Sequence, residues 1–204
     1  MDIPDSVTSI GRWAFAYTGL TSVEIPSKVQ TIEQDAFYGC TQLTSVDIPN
    51  SVQTIGQAAF KDCSALTQIT IPNSVTSIEN HAFQNSGLSS VTIPGSVTSI
   101  GQEAFHNCDQ LTSVTLKAGV ETIEQDAFYG CDQLTNVTME DGVETIGQGA
   151  FFACSALTQI TIPDSVTSIG QYAFQRSGLT SVTIPGRSPA SGWMPSTAAP
   201  NSRP

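Results

Sequence analysis

One motif recurs along most of the chain and limits the possible folds more than any other feature. Each copy carries an Ala-Phe pair that follows a V-x-x-I segment and precedes a segment of the type LTSVTI. Successive phenylalanines of this pair are separated by 22 or 23 residues. Self-similarity at such a period predicts a solenoid, in which each repeat packs only against its neighbours. These marker phenylalanines are Phe15, Phe37, Phe60, Phe83, Phe105, Phe128, Phe151 and Phe174.

The LTSVTI segment has the alternation of a half-buried strand. Its apolar residues, for example Leu88, Val91 and Ile93, alternate with polar ones in the second half of the segment. Proline closes this strand in six repeats, because it cannot donate to a sheet ladder. Lys117 and Glu140 replace the proline in two repeats, and a glycine follows each of them two residues later. We therefore expect the same turn in all repeats, formed by different chemistry in these two.

The segment around the marker phenylalanine has a different spacing. Ile100, Ala104, Phe105 and Cys108 fall at offsets 0, 4, 5 and 8. That spacing predicts a short helix of about two turns with one apolar face. The loop that returns to the next strand is one residue shorter in three repeats, where glycine eases the turn. Those glycines are Gly19, Gly87 and Gly178.

The five cysteines all lie three residues after a marker phenylalanine. Their number is odd and no CxxC pair occurs, which argues against a disulfide framework or a zinc site. Thr18, Ser86 and Ser177 occupy the same position in the other repeats. The pattern predicts a column of reduced thiols that act as small apolar fillers. The cysteines are Cys40, Cys63, Cys108, Cys131 and Cys154.

The charge of the chain excludes several classes of partner. The formal net charge is -11 and the isoelectric point is about 4.2. Such a surface does not attract nucleic-acid phosphates or anionic lipid, so we expect neither nucleic-acid binding nor direct membrane insertion. The N-terminal residues, MDIPDSV, lack the features of a signal peptide and enter in the tail of a repeat, as in a mature domain or a fragment.

These motifs, A-F-x-x-C after the V-x-x-I segment and I-P after the strand, resemble those of the BspA-like leucine-rich repeat family. The resemblance covers about residues 3 to 185. It implies a mainly β, α/β leucine-rich repeat solenoid that is right-handed, with a parallel concave sheet and short helices on the convex side. It also implies a cell-surface or secreted location and a role in adhesion or protein binding, with no catalytic residues. Residues 1–185 are thus expected to form the eight-repeat solenoid, and residues 186–204, rich in Pro, Ser and Ala, a tail or linker.

Few residues outside the repeat pattern suggest chemistry. His81 and His106 could form a proton-sensing or metal-binding pair, but they lie at different offsets from phenylalanine, which favours solvated helix-surface histidines. The acidic groups at 33–35 and 124–126 lack calcium-ligand spacing and are expected to form a solvated face. No nucleophile–base motif is present. We expect neither an enzyme nor a cofactor. Trp193 and Met194 in the tail could cover the last repeat, which otherwise presents a sheet edge.

The outward positions of the predicted strands form the candidate binding face. They carry small uncharged donors and acceptors, with acidic residues only in the first two repeats. Threonine also suits strands for reasons unrelated to binding, so this alternative stays open. The sequon that begins at Asn136 lies on the same face, where a glycan would obstruct it. The candidate residues are Ser90, Thr92, Ser113, Thr115, Asn136, Thr138, Gln159 and Thr161.

Three functions are compatible with this surface. The first is a non-catalytic interaction or adhesion module that binds a protein or glycan. The second is a structural spacer in a longer surface protein. The third, an ice- or crystal-surface binder, is suggested by the regular threonine rows but disfavoured because leucine-rich solenoids curve while ice is flat.

Overall fold

The structure is a computed structural model and describes residues 3–183. Within that range the chain forms fifteen short strands and no helix. Each repeat contributes a two-residue strand, and most contribute a longer one. The two-residue strands are β1 Ser9–Ile10, β3 Thr31–Ile32, β5 Thr54–Ile55, β6 Ser77–Ile78, β8 Ser99–Ile100, β10 Thr122–Ile123, β12 Thr145–Ile146 and β14 Ser168–Ile169. The longer strands are β2 Ser22–Glu24, β4 Ser45–Asp47, β7 Ser90–Ile93, β9 Ser113–Leu116, β11 Asn136–Met139, β13 Gln159–Thr161 and β15 Ser181–Thr183.

The two-residue strands form one continuous parallel sheet through all eight repeats. Their order is β1-β3-β5-β6-β8-β10-β12-β14, so each strand pairs with its counterpart in the next repeat. The isoleucines stay in register, as in Ile55 with Ile78 and Ile78 with Ile100. This repeat-by-repeat pairing confirms the predicted parallel solenoid.

The longer strands are parallel as predicted but are divided among three sheets. β2 pairs with β4, β7 and β11 flank β9, and β13 pairs with β15. Residues 67–71 of the third repeat have no regular strand. Even so, the backbone N–H of Ser89 donates to the carbonyl of Thr67 over 3.1 Å, which keeps the third and fourth repeats in register.

The predicted short helices are wrong. In residues 101–107, the N–H groups of Glu103, Phe105 and Asn107 donate to carbonyls of the next repeat, while those of Ala104 and His106 close turns of the i to i−3 type. Glu103 and Asn107 have positive φ angles of 54° and 53°. A left-handed residue on either side of the phenylalanine cannot belong to a right-handed helix. The chain therefore forms consecutive turns that are bonded to the neighbouring repeat.

This turn geometry is the same in all eight repeats. Positive φ occurs two residues before and two residues after every marker phenylalanine, so the backbone reverses hand twice per repeat. The positions with positive φ are Trp13, Tyr17, Asp35, Gly39, Ala58, Asp62, His81, Asn85, Glu103, Asn107, Asp126, Gly130, Gly149, Ala153, Tyr172 and Arg176.

A ladder of stacked phenylalanine rings runs through the core. All eight marker phenylalanines belong to it, and successive ring centroids lie 5.2–5.5 Å apart. The six inner rings are fully buried, whereas Phe15 and Phe174 in the end repeats are half-buried. Burial of an aromatic side chain contributes a few kcal/mol, so this column is a main source of the interaction between repeats.

The hydrogen-bonded turn that follows the longer strand is retained at Lys117, one of the two positions where proline is missing. The N–H of Val120 donates to the carbonyl of Lys117 over 3.1 Å, as that of Val97 does to Pro94 over 3.0 Å. Gly119 supplies a φ of 111° in this turn. Lys117 and Glu140, the two residues that replace proline, form an ion pair of 2.7 Å with each other.

Residues 186–204, including Trp193 and Met194, lie outside the described range. Their predicted roles as a tail and as a cover of the last repeat stay predictions.

Candidate functional site

The candidate face is arranged in parallel rows across β7, β9 and β11. Ser90 and Asn136 flank Ser113 in register, and Thr92 and Thr138 flank Thr115. The residues between them are the buried valines of the strands, so these polar side chains point away from the core. Adjacent strands are about 4.8 Å apart, which sets the spacing of the rows. Gln159 and Thr161 occupy the equivalent exposed positions on β13.

The face consists of polar groups that the described part of the protein does not bond. None of its eight side chains forms a hydrogen bond or an ion pair within residues 3–183. The hydroxyls one position before these rows behave differently. Thr112 Oγ1 donates to the carbonyl of Ser89 over 2.9 Å, and Thr135 Oγ1 donates to that of Thr112 over 3.1 Å. Similar sequence positions thus divide into hydroxyls that bond to the neighbouring repeat and hydroxyls that have no such bond within residues 3–183.

The face changes charge along the solenoid. Glu24 pairs in register with Asp47, and both side chains are exposed, so the first two repeats present neighbouring carboxylates. From Ser90 onwards the rows of the candidate face are neutral. The sequon also lies here, since Asn136 and Thr138 are both exposed on β11. A glycan at Asn136 would project from the middle of the face.

The cysteine column lies on the other side of the core, buried and without disulfides as predicted. Each thiol also donates a weak hydrogen bond of 3.0–3.2 Å to the carbonyl of the marker phenylalanine one repeat earlier, as Cys63 does to Phe37. Burial raises the pKa of the Cys63 and Cys154 thiols to about 12. Such thiols stay protonated and unreactive near neutral pH, which agrees with a structural role.

The two histidines are not the solvated helix residues that we expected. Both are half-buried, and His81 Nδ1 lies 3.4 Å from Glu103 Oε2, within ion-pair distance but without hydrogen-bond geometry. The ring of His106 stacks on Tyr129 at 4.7 Å, and Gln84 Nε2 lies 3.3 Å from its Nδ1. Burial lowers the pKa of His106. The two residues are therefore packing elements of the turn side of the solenoid.

Asp35 also departs from the expected solvated face, since it is only 6% exposed. The equivalent residue of the preceding repeat is the large Trp13, whereas Asp126, which follows Glu103 in the same column, is half-buried. The two positions thus differ in the size of the neighbour in the adjacent repeat.

An aromatic cluster in the first two repeats was missed by the sequence analysis. Trp13 and Tyr17 both contact Tyr38, with ring centroids 5.6 Å and 5.1 Å away. The neighbouring Tyr17, and then Asp62, raise the pKa of Tyr38 to about 12. Trp13 and Tyr17 are 49% and 69% exposed. The sequence did contain a signal for this cluster. Trp13 and Tyr17 are large aromatic residues at positions, two before and two after the marker phenylalanine, where most repeats have small or polar ones.

The described residues offer little for metal or small-molecule chemistry. A shallow, open cleft is lined by polar residues, among them Gln57, Glu79, Asn80 and Ser99. Within residues 3–183 no three His, Cys, Asp or Glu side chains are grouped as metal ligands would be. The same range contains no helix with the length and hydropathy needed to cross a membrane.

Comparisons with known proteins agree with this architecture. The family model of the BspA type leucine rich repeat region matches residues 1–111 and 78–189. No curated protein shows significant similarity to the chain. Among solved structures, a leucine-rich repeat protein of T. pallidum is 33% identical with a TM-score of 0.63, and the match covers 74% of this chain and 69% of that one.

Two further structures match nearly the whole chain. A leucine-rich repeat protein from Bacteroides ovatus is 25% identical with a TM-score of 0.55, and the match covers 91% of this chain but 60% of that one. A leucine rich cell surface protein from Faecalibacterium prausnitzii is 30% identical with a TM-score of 0.53, and the match covers 89% of this chain and 65% of that one. The chain thus spans about three fifths of the B. ovatus protein. With its repeats, turns and family match in agreement, the chain belongs to the BspA-type leucine-rich repeat family.

Proposed function

We propose that the chain is a non-catalytic interaction or adhesion module that binds a protein or glycan through the candidate face. The observation that carries this proposal is the set of polar side chains on β7, β9, β11 and β13 that form no bonds within the described protein. A neighbouring protein or glycan can use such donors and acceptors without breaking an existing hydrogen bond, which would cost free energy.

The composition of the face indicates the kind of binding. It lacks the Trp, Tyr and Arg side chains that anchor tight interfaces. We therefore expect modest affinity at each contact, increased where several modules act together. A surface location is supported by the similarity to the F. prausnitzii leucine rich cell surface protein, and by the resemblance to the family as a whole.

The experiment is a binding screen against extracellular-matrix proteins and glycans, which compares the unmodified chain with a Thr92→Lys, Thr115→Lys, Thr138→Lys variant. These residues form one row across three strands, so the long charged side chains should block the face and abolish binding. A second variant with valine at the same positions keeps the shape and removes only the hydroxyls. A partial loss in the valine variant would identify hydrogen bonding as the source of affinity.

A matched control carries the same added charge on another side of the solenoid. Gln30, Gln53 and Thr98 are exposed and precede the two-residue strands β3, β5 and β8. Lysine at these three positions should leave binding unchanged. Full binding by the Thr→Lys variant, or equal loss in the control, would rule out the candidate face. No binding by the unmodified chain to any probe would favour the spacer.

A further inference from the structure

We propose that the junction between the second and third repeats is a hinge, which opens and closes the side of the solenoid that carries the longer strands. β4 has no paired strand towards the third repeat, because residues 67–71 form no regular strand. None of the N–H groups of residues 67–71 donates a hydrogen bond within residues 3–183. Backbone groups inside a packed sheet are normally bonded. This unbonded junction, the opening, is therefore the weakest point on the long-strand side.

A column of hydrogen bonds that joins other repeats is interrupted at the opening. At five junctions, the N–H group and the hydroxyl of one residue both donate to a single carbonyl of the preceding repeat, as those of Thr112 do to Ser89. Within the described residues, Thr67 donates neither bond to Thr44, its counterpart in the second repeat. The residues that donate both bonds are Thr44, Ser89, Thr112, Thr135 and Thr180.

The opening continues into the turn that follows residues 67–71. Ser51, Ser96 and Ser165 each donate a hydroxyl to the carbonyl of a valine one repeat earlier, over 2.6–2.8 Å. The equivalent Ser74 Oγ is buried and has no hydrogen-bond partner among the described residues. The carbonyl of Val52, its matching acceptor, also accepts no bond in that range. A buried polar group without a partner costs free energy, so closure that joins Ser74 to Val52 would recover part of that cost.

The inward residue of the third repeat differs from its neighbours. Ile69 lies in a column that contains valine in every other repeat except the seventh, which has Ile160. Val46 and Val91 on either side are buried, whereas Ile69 is only partly buried. An extra methylene in a packed column displaces the groups around it. The seventh repeat agrees with this cause, since β13, which contains Ile160, does not pair with the preceding β11.

The two isoleucine repeats nevertheless differ in how far they open. Residues 63–72 and 154–163 have the same sequence, CSALTQITIP. In the seventh repeat, Gln159–Thr161 still forms β13 and pairs with β15, and Ser155 Oγ donates to a carbonyl of the sixth repeat over 3.2 Å. In the third repeat, neither a strand nor the equivalent bond from Ser64 forms within residues 3–183. The opening before the third repeat is therefore the less restrained of the two.

The other sides of the solenoid hold the second and third repeats together and supply the axis of the hinge. In the sheet of two-residue strands, Thr31 pairs with Thr54. On the turn side, the N–H of Phe37 donates to the carbonyl of Ala59 over 2.8 Å, and its ring stacks on Phe60 at 5.2 Å. Rotation about these bonded sides is the motion that breaks the fewest contacts, as in hinges that open at a few residues.

The hinge sets the distance between two parts of the long-strand side. Glu24 and Asp47 lie on one side of the opening, and Ser90 and Thr92 of the candidate face lie on the other. A partner that contacts both parts would stabilise one hinge angle, because a ligand shifts an equilibrium that already exists. The motion itself requires no partner, so its test is independent of the proposed function.

The test is double electron–electron resonance on the 204-residue chain, with spin labels at Ser22→Cys and Asn136→Cys. Both positions are exposed, and the pair spans the opening. Five strand spacings separate them by about 24 Å. The five native cysteines are buried and should not react with the label. The labelled chain should show a broad or two-component distance distribution, and the further substitution Ile69→Val should reduce it to one narrow component.

Ile160→Val is the matched control, because it makes the same change in the same local sequence but outside the labelled span. It should leave the distance distribution unchanged. A single narrow component without Ile69→Val, a distribution that Ile69→Val does not narrow, or equal narrowing by both substitutions would overturn the proposal.

Amide hydrogen exchange of the unlabelled chain provides a second measurement. Residues 68–70 and 159–161 have the same sequence and therefore similar intrinsic exchange rates. The amides of 68–70 should exchange on average about tenfold faster or more, because a local opening exposes them, and Ile69→Val should slow them. Equal exchange in the two segments would show that the opening is bonded in solution, which would also contradict the hinge.

Discussion

At the scale of single residues, columns of equivalent side chains decide what each position does. Strands and aromatic rings of this solenoid pair with their counterparts 22 or 23 residues away in the chain. Asp35 is buried and Glu24 is exposed because of the columns in which they lie, although both are acidic residues of early repeats. The same principle separates Thr112, whose hydroxyl bonds to the preceding repeat, from Thr115, whose hydroxyl forms no bond among the described residues.

His106 makes stability depend on pH in a predictable direction. Burial lowers its pKa in the folded chain, and this outweighs the nearby carboxylates of Glu103 and Asp126, while His81 and Lys61 act in the same direction as burial. The unfolded chain therefore binds the proton at higher pH than the folded one. The contribution of His106 to stability is present above the ordinary histidine pKa and is lost as the pH falls below it.

Thermal unfolding of the unmodified chain and of His106→Gln at about pH 7.5 and about pH 5.5, either side of the ordinary pKa of histidine, measures this effect. The unmodified chain should lose more stability between the two values than the variant. An equal loss in both would show that His106 does not contribute to the pH dependence.

At the scale of the structural element, the turn around each marker phenylalanine depends on left-handed residues. Within residues 3–183, thirteen non-glycine residues have positive φ, and all lie at two offsets of the repeat. For most residue types this conformation costs about 1–2 kcal/mol relative to the right-handed one. The hydrogen bonds to the next repeat compensate for that cost, which is why the element exists only within the stack.

A pair of alanine substitutions tests this account of the turn. Ala153 has a φ of 58°, whereas the half-buried Ala156 is not among the residues with positive φ. Ala156→Gly should lower the free energy of unfolding by about 0.5–1 kcal/mol through added chain entropy. Ala153→Gly should be neutral, or stabilising by up to about 1 kcal/mol, because glycine adopts this φ without strain. Urea unfolding measures both, and an equal loss of stability would contradict the assigned backbone strain.

At the scale of the whole molecule, the continuous phenylalanine ladder couples the repeats. Phe105 is fully buried between Phe83 and Phe128, at 5.2 Å from each ring. Nearest-neighbour contacts of this kind carry the cooperativity of a repeat protein. A gap in the middle of the ladder should therefore affect unfolding more than a gap at its end.

Phe105→Ala should destabilise the chain by about 3–5 kcal/mol through lost burial and a residual cavity. It should also divide urea unfolding, followed by circular dichroism, into two transitions. Phe15→Ala is the matched control, because Phe15 is half-buried and stacks on Phe37 alone among the described rings. Its effect should be smaller and the transition should stay single. Equal effects of the two substitutions would show that the ladder is not the main coupling.

Much of the architecture could be derived from the amino-acid sequence alone. The spacing of the marker phenylalanines predicted the repeats, their parallel stacking and the core columns. It could do so because an apolar position of the repeat is buried in every turn of a solenoid. The alternation around Val91, Val114 and Val137 placed the candidate residues on the outward side of their strands. The structural role of the cysteine column could be predicted because Thr or Ser occupies the same position in other repeats.

Only the tertiary structure decided which backbone the turn segment adopts and which polar groups remain unbonded. A helix fits the offsets of Ile100, Ala104, Phe105 and Cys108. Instead, carbonyls of the next repeat accept hydrogen bonds from N–H groups that would donate within a helix. The same contacts between repeats bond Thr135 and leave Thr138 open, and they leave the aromatic residues of the end repeats exposed. All of these outcomes depend on neighbours more than twenty residues away in the chain, which a local pattern does not contain.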